Sequence, residues 1–267
     1  MCLIVFSVGC HPQFPLVVTA NRDEFHQRPT APMHWWGEPA VLAGRDLASG
    51  GTWLAVSKTG QISAVTNVRE GGAAPKSVSR GALPLMALTE SSSHVEQYLQ
   101  RSGQDYAGFN LIHVTAAGGD YYSNRDTSIR RNLHRGLYGL SNHLLQSPWP
   151  KLLKLRDSIG QTLAQSDCHH TRQLHDVLIE QMQDTQPAPD HCLPDTGVGL
   201  ELERMLSSPF IIGREYGTRA TTVATVDVAG TVMVTEQSWG PEGRDDGQLQ
   251  FSWAAGCGAG EECGTGH

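Results

Sequence analysis

The chain has 267 residues, 39% hydrophobic and 18% charged, which is enough to bury roughly three quarters of its unfolded surface without disulfides or a structural metal. Its net charge of −7 argues against non-specific attraction to nucleic acid or an anionic membrane, because both need a basic excess. No apolar run approaches the roughly 20 residues of a membrane span, and the six cysteines follow no framework spacing, so reduced thiols in a cytoplasm are expected.

Residues 2–8 and 15–20 are apolar, rich in β-branched side chains and separated by a turn containing Pro12, which predicts a hairpin of two buried strands. The first run is too short for a signal-peptide core and has no Lys or Arg before it; the lipoprotein-like Ser7-Val8-Gly9-Cys10 lacks the same features. The charged tetrad Asn21-Arg22-Asp23-Glu24 falls where the second strand is expected to leave the sheet. Residues 21–51, with several prolines and the pair Trp35-Trp36, read as an ordered loop, since tandem tryptophans are costly to leave in water. Residues 50–56 and 61–67, joined around Lys58-Thr59-Gly60, predict a second hairpin.

A small-residue loop over 71–79 precedes helical patterns at 81–88 and 93–100, the latter capped within 91–93. Residues 109–115 and 120–123 predict strands around Gly118-Gly119, and 136–141 a short strand ending in Ser141-Asn142. Residues 148–163 carry the clearest helical stripe, with Leu152, Leu153, Leu155 and Ile159 on one face and Pro150 near the start. A second helix is expected over 171–182, capped by Thr171, then a polar surface loop over 183–196 and a short helix over 200–206. Residues 216–228 and 231–237 form a hairpin through Ala229-Gly230, and 249–253 a final strand. These elements predict one α+β domain over 1–253, with mostly antiparallel sheets covered on both faces, and a flexible glycine-rich tail over 254–267. Asn-Arg-Asp recurs at 124–126 in unlike surroundings and reads as coincidence.

Cys2 is the first candidate for chemistry. A free cysteine at a strand start is ordinarily a small buried apolar residue. Its position allows more: methionine before a small residue is normally removed, leaving the thiol beside a free α-amine with a pKa near ~8 that can take its proton. An N-terminal threonine with its own amine as base is a known arrangement of this kind. Arg22 would then lower the thiol pKa and Asp23 would hold the amine or substrate through charge-assisted hydrogen bonds, although a capped turn with solvated charges is the simpler reading. Similar polar clusters end other strands, at Thr66-Asn67-Val68-Arg69-Glu70, Gly139-Leu140-Ser141-Asn142 and Tyr216-Gly217-Thr218-Arg219, and buried asparagines there suit oxyanion donation. Cys168-His169-His170 with His191-Cys192, and Cys257, Cys263 and His267, are weaker metal-ligand candidates. Of the twelve histidines, His11, His26, His34, His113 and His143 lie near the presumed site and invite a haem-ligand reading; each is ordinarily a polar or core residue.

Together these segments resemble the NRDE-type proteins, also called the transport and Golgi organisation 2 family, over most of the chain to about residue 240. The resemblance rests on Met1-Cys2, Ala20-Asn21-Arg22-Asp23-Glu24-Phe25, Arg28-Pro29-Thr30, Leu42-Ala43-Gly44-Arg45-Asp46-Leu47 and Gly50-Gly51-Thr52-Trp53-Leu54. It continues through Thr66-Asn67-Val68-Arg69-Glu70, Tyr138-Gly139-Leu140-Ser141-Asn142, Pro148-Trp149-Pro150-Lys151 and Tyr216-Gly217-Thr218-Arg219. That family in turn resembles the N-terminal-nucleophile hydrolases, which implies a four-layer αββα sandwich with Cys2 at a strand end.

Set against the cysteine-type members that cleave bile-salt, penicillin and lipid amides, Cys2 matches the nucleophile. Arg22 and Asp23 resemble the Arg and Asp after the second strand, and Asn67 and Asn142 resemble oxyanion-site asparagines. Arg219 resembles a late site arginine. Those relatives usually place two residues between Arg and Asp, whereas here the two are adjacent. The implied function is hydrolysis of a non-peptide carbon–nitrogen or acyl bond of a small molecule, with no required cofactor. Asn21, Glu24, Arg45, Trp53, Arg69 and Ser141 would help bind the substrate. The family is also associated with haem mobilisation and with lipid or acyl-CoA handling, which implies the alternative of a non-catalytic carrier with haem as a bound ligand.

Overall fold

The computed structural model describes residues 2–74, 76–165 and 170–256. Among these residues the strands form two antiparallel sheets. The first contains β1 (Cys2–Val8), β2 (Leu16–Phe25), β10 (Gly136–Leu140), β11 (Tyr216–Val226), β12 (Thr231–Trp239) and β13 (Asp245–Ala254), in the order β10-β1-β2-β11-β12-β13. The second runs in chain order through β3 (Thr30–Trp35), β4 (Val41–Asp46), β5 (Leu54–Ser57), β6 (Ile62–Asn67), β7 (Phe109–Thr115), β8 (Gly118–Ser123) and β9 (Arg130–Leu133). The helices are α1 (Leu83–Thr89), α2 (Ser92–Ser102), α3 (Pro150–Ala164), α4 (Thr171–Gln181) and α5 (Leu200–Met205).

Strand alternation sorts the core. Ile4, Phe6, Val8, Val18 and Ala20 pack with Leu42, Leu54, Ile62, Ile112 and Tyr121, so the central cluster joins one sheet to the other. Their chain neighbours Leu3, Val5, Val17 and Val223 pack instead with Leu152, Leu155, Ile159, Leu174 and Leu178 of α3 and α4. On the second sheet, Val65, Phe109, Leu111 and Tyr122 pack with Leu83 and Ala87 of α1 and Val95 and Leu99 of α2. Each fully buried apolar side chain contributes about 1.5–3 kcal/mol relative to exposure.

Five expectations are corrected. β2 does not end before the tetrad: residues 21–25 stay in the strand, paired with β11 throughout and with β1 as far as Arg22. The expected loop over 21–51 holds β3 and β4, and its Pro32 is tolerated because β3 is an edge strand. β9 was hidden by its charges; Arg130 reaches Asp120 and Glu96, and charged edges of this kind discourage pairing with other chains. Thr171 is the first residue of α4, whose N-cap is His170. The last strand begins four residues earlier than expected, at Asp245, because polar residues face water along this edge, with Phe251 and Trp253 packed on the core. No helix among the described residues is long and apolar enough to cross a membrane.

His175 of α4 is wholly buried between Thr235 at 2.8 Å and Thr225 at 2.9 Å, and burial holds its pKa down to about 3. The neutral ring is favoured in the fold, so its contribution is complete above the unfolded value near 6.5 and is lost as pH falls toward 3. Stability should therefore fall by about 1.4 kcal/mol per pH unit from this residue below pH 6. Urea unfolding between pH 6 and 4 checks this: His175→Gln should flatten the slope, and equal slopes in both proteins would show that the ring is not held neutral.

Candidate active site

The candidate residues converge where β1, β2 and β11 end. Cys2 pairs with Arg22, which pairs on its other side with Ala220. Ile4 and Ala20 face the other sheet, so alternation puts Cys2, Arg22 and Glu24 on that same inter-sheet face. Asn21 and Asp23 belong to the opposite alternation. Adjacent strand residues point to opposite faces, and this is the structural meaning of the contiguous Arg-Asp pair: only Arg22 shares the face of the thiol. The β2–β11 register shifts between Thr218 and Ala220, leaving Arg219 as the extra residue of a bulge, a device that re-aims a side chain.

A cavity of about 500 Å³ opens at this end, and Cys2, Arg22, Asp23, Glu24, Arg45, Trp53, Asn67 and Arg219 all contribute to its wall. Cys2 is 7% exposed. Burial pushes its thiol up to about 11, with Asp23 and Glu24 adding to the rise and Arg22 opposing it. Arg22 lies 3.8 Å from Glu24 and 3.7 Å from Asp46, and its Nη1 is buried with no hydrogen-bond partner. Arg219 donates through Nη1 to the carbonyls of Arg28 and Phe25 and to Thr30, and burial lowers its pKa. Arg45 lies over the Trp36 ring at 4.5 Å and donates to the Gly50 carbonyl. The Asp23 carboxylate accepts from Thr218 at 2.7 Å.

Four expected residues stand off the cavity wall. Asn21 donates to the carbonyls of Met182 and Pro209 and accepts from Thr221, so its amide is occupied on the helix side. Asn142 is wholly buried and donates to Asn67 Oδ1 at 2.9 Å. With that oxygen engaged, the Asn67 amide nitrogen is the group left to serve the cavity; Asn142 orients it from behind. The Ser141 carbonyl accepts from Thr66, and the Asn142 carbonyl from the Arg69 amide, which tie this segment to the end of β6. Arg69 is buried against Glu203, with which it forms an ion pair, and its guanidinium lies 4.6 Å over the Trp149 ring. Asn21, Arg69, Ser141 and Asn142 thus bond within the protein behind the wall, and none of them lines this cavity.

The sequence profile of the Transport and Golgi organisation 2 family matches residues 1–241. The mouse Transport and Golgi organization 2 homolog is 33% identical over 261 residues, covering 89% of this chain and 93% of its own. The bovine homolog is 35% identical over 262 residues with the same coverage. The Transport and Golgi organization protein 2 of Drosophila melanogaster is 27% identical over 173 residues, 57% of this chain and 61% of its own. The chain belongs to the Transport and Golgi organisation 2 family.

Several cavity residues of this family member escaped the sequence reading. Arg28 and Asp46 form a 2.7 Å ion pair on the wall, across a separation no local pattern reports. Glu236 is 3% exposed, accepts from the Met33 amide at 2.7 Å and is held above the usual carboxylate range by burial. Its signal was present, since Val232 and Val234 share its face at period two. Arg80 sits in the turn before α1, and Lys151 is buried behind the sheet, donating to the Leu206 carbonyl, its pKa lowered to about 8 by burial.

None of the candidate haem-ligand histidines lines this cavity. His11 accepts from the Gln13 and Phe14 amides, His34 bonds the Pro32 carbonyl, His113 meets Gln61 and His143 meets Ser147; with His26, all five lie off its wall. Cys168, His169, Cys257, Cys263 and His267 lie outside the described residues; His191 and Cys192 are exposed in a turn. Among the described residues no three His, Cys, Asp or Glu side chains are grouped to hold a metal.

The ion pair that anchors the support has a measurable consequence. Glu203→Ala leaves the Arg69 guanidinium buried and unmatched, so it should lower unfolding free energy by about 3–5 kcal/mol, whereas replacing both partners by Met and Leu should recover much of the loss. Urea midpoints of the single and double variants check this; equal losses in both would show that the pair does not carry the effect.

Proposed function

We propose that this chain is an N-terminal-cysteine hydrolase acting on an amide or acyl bond of a small molecule. The observation that carries the reading is the placement of Cys2 on the cavity wall, beside Arg22 and within the same wall as an Asn67 amide bonded from behind by Asn142. Helices on the outer face of each sheet, with apolar contact between the sheets, support the αββα reading of the fold.

In this mechanism Met1 is removed, and the α-amine of Cys2 takes the thiol proton as Sγ bonds to the acyl carbon. The Asn67 amide nitrogen donates to the developing oxyanion. As the carbon–nitrogen bond breaks, the proton passes to the leaving amine. Water then attacks the thioester, releasing the carboxylic acid and restoring the thiol. Burial disfavours the thiolate, so in this mechanism the adjacent α-amine serves as the base. That same raised pKa favours the second reading, a non-catalytic carrier of lipid or acyl-CoA type using the cavity. For a haem carrier, the histidine positions supply no ligand within it.

Intact mass and acyl-adduct detection separate the two readings. The hydrolase should lack the mass of one methionine residue and should accumulate a thioester on Cys2 with an activated acyl substrate. Cys2→Ala should abolish turnover and leave the urea midpoint nearly unchanged. Asn67→Ala should lower turnover by roughly 10²–10³, and Asn142→Asp should do likewise by turning the Asn67 carbonyl toward the cavity. Full turnover in Cys2→Ala would end the mechanism; binding without an adduct would favour the carrier.

A further inference from the structure

The charges on the cavity wall are unequally employed. Asp46 accepts from Arg28 and from the Ala48 and Ser49 amides, Glu236 from the Met33 amide, Asp246 from Arg244 and Glu24 from the Phe25 amide. The guanidiniums are less satisfied. Arg22 Nη1 and Arg219 Nε are buried without hydrogen-bond partners, and Arg22 is 7% exposed. Arg80 donates through Nη1 to the Gly108 carbonyl, and among the described residues no carboxylate lies within 4.0 Å of it. Burial lowers its pKa, and the charges acting on it include Cys2 and Glu24.

Arg80 is also rigidly placed. The Gly81 carbonyl accepts from the Thr52 amide, and the Gly51 and Gly81 backbones pack so closely that a Cβ on Gly51 would lie 2.6 Å from Gly81. Ser79 caps the same turn by accepting from the Gly81 amide. Desolvated guanidinium donors without partners are costly. In a chain of net charge −7, their concentration beside one thiol does not follow from composition.

We propose that the cavity holds its substrate by an anionic group, a carboxylate or a phosphate, gripped by Arg80 with the unpartnered edges of Arg22 and Arg219. This rests on the cavity being the substrate site and adds the class of molecule it takes. The planar guanidinium fork matches both anions in bidentate geometry, and a bound oxyanion satisfies donors that the protein itself leaves open.

The test uses the whole protein at low salt and reads Cys2 alkylation by iodoacetate and by its neutral counterpart iodoacetamide, resolved by peptide mass. Exposed Cys10 is the internal reference. The iodoacetate-to-iodoacetamide rate ratio at Cys2 should exceed that at Cys10 by roughly tenfold, collapse toward the Cys10 value in Arg80→Gln and return in Arg80→Lys. Equal ratios at the two cysteines, or a ratio untouched by Arg80→Gln, overturn the proposal. If Cys2 reacts with neither reagent, titration with inorganic phosphate and acetate decides, read by fluorescence of Trp53 and Trp239 on the wall. Saturable binding weakened roughly tenfold in Arg80→Gln supports the anion site, and no saturable change overturns it. A phosphate preference over acetate, or the reverse, identifies the source of the anion. A raised ratio without an acyl adduct would remove the hydrolase and leave the anion site; an adduct with equal ratios would do the opposite.

Discussion

The pairing of Cys2 with Arg22, and of Arg22 with Ala220, sets the geometry of the whole cavity. Side-chain direction in a strand has period two, so a slip of one residue would turn Cys2 toward α3 and α4 and bring Leu3 to face the cavity. The register is held from the helix side, where Asn21 bonds two carbonyls and Thr221 while Asp23 accepts from Thr218. The tetrad therefore divides its work by alternation. Arg22 and Glu24 face the thiol side, and Asn21 and Asp23 secure the strand that carries them.

Behind the wall lies a second polar layer whose purpose is placement. Asn142 engages the Asn67 carbonyl oxygen, the Arg69 amide holds the Asn142 carbonyl, and Arg69 is itself fixed by Glu203 and Trp149. Lys151 fastens the neighbouring segment through the Leu206 carbonyl. A buried ion pair of this kind adds little net stability against an apolar replacement, yet it is expensive to break singly. Such an arrangement suits a support that must keep one amide in one orientation.

Much of the architecture was legible because its period is local. The hairpins of residues 2–20 and 216–237, the turn at Gly60 and the stripe of α3 each follow from apolar spacing and turn residues. β3, β9 and the first half of β13 were not, because edge strands carry prolines and charges that read as loop. The same holds for the site. Cys2, Arg22, Asn67 and Arg219 stood at recognisable strand ends. Arg80, in contrast, fell between the small-residue loop over 71–79 and the helical pattern from 81, with nothing local to mark it, and the Gly51–Gly81 contact is what fixes its turn at the cavity.

By itself the sequence determined the family, the α+β class with antiparallel pairing and the set of polar strand ends from which the site is drawn, since these depend on residue type and near-neighbour spacing. Only the tertiary structure decided which polar residues face the cavity and which brace it. Asn67 and Asn142 are both strand-end asparagines of the same chemical type, and 75 residues of chain separate them. One lines the cavity and the other stands behind it, because the register of two sheets and the bonds across them set that order, and neither is encoded within a single stretch of chain.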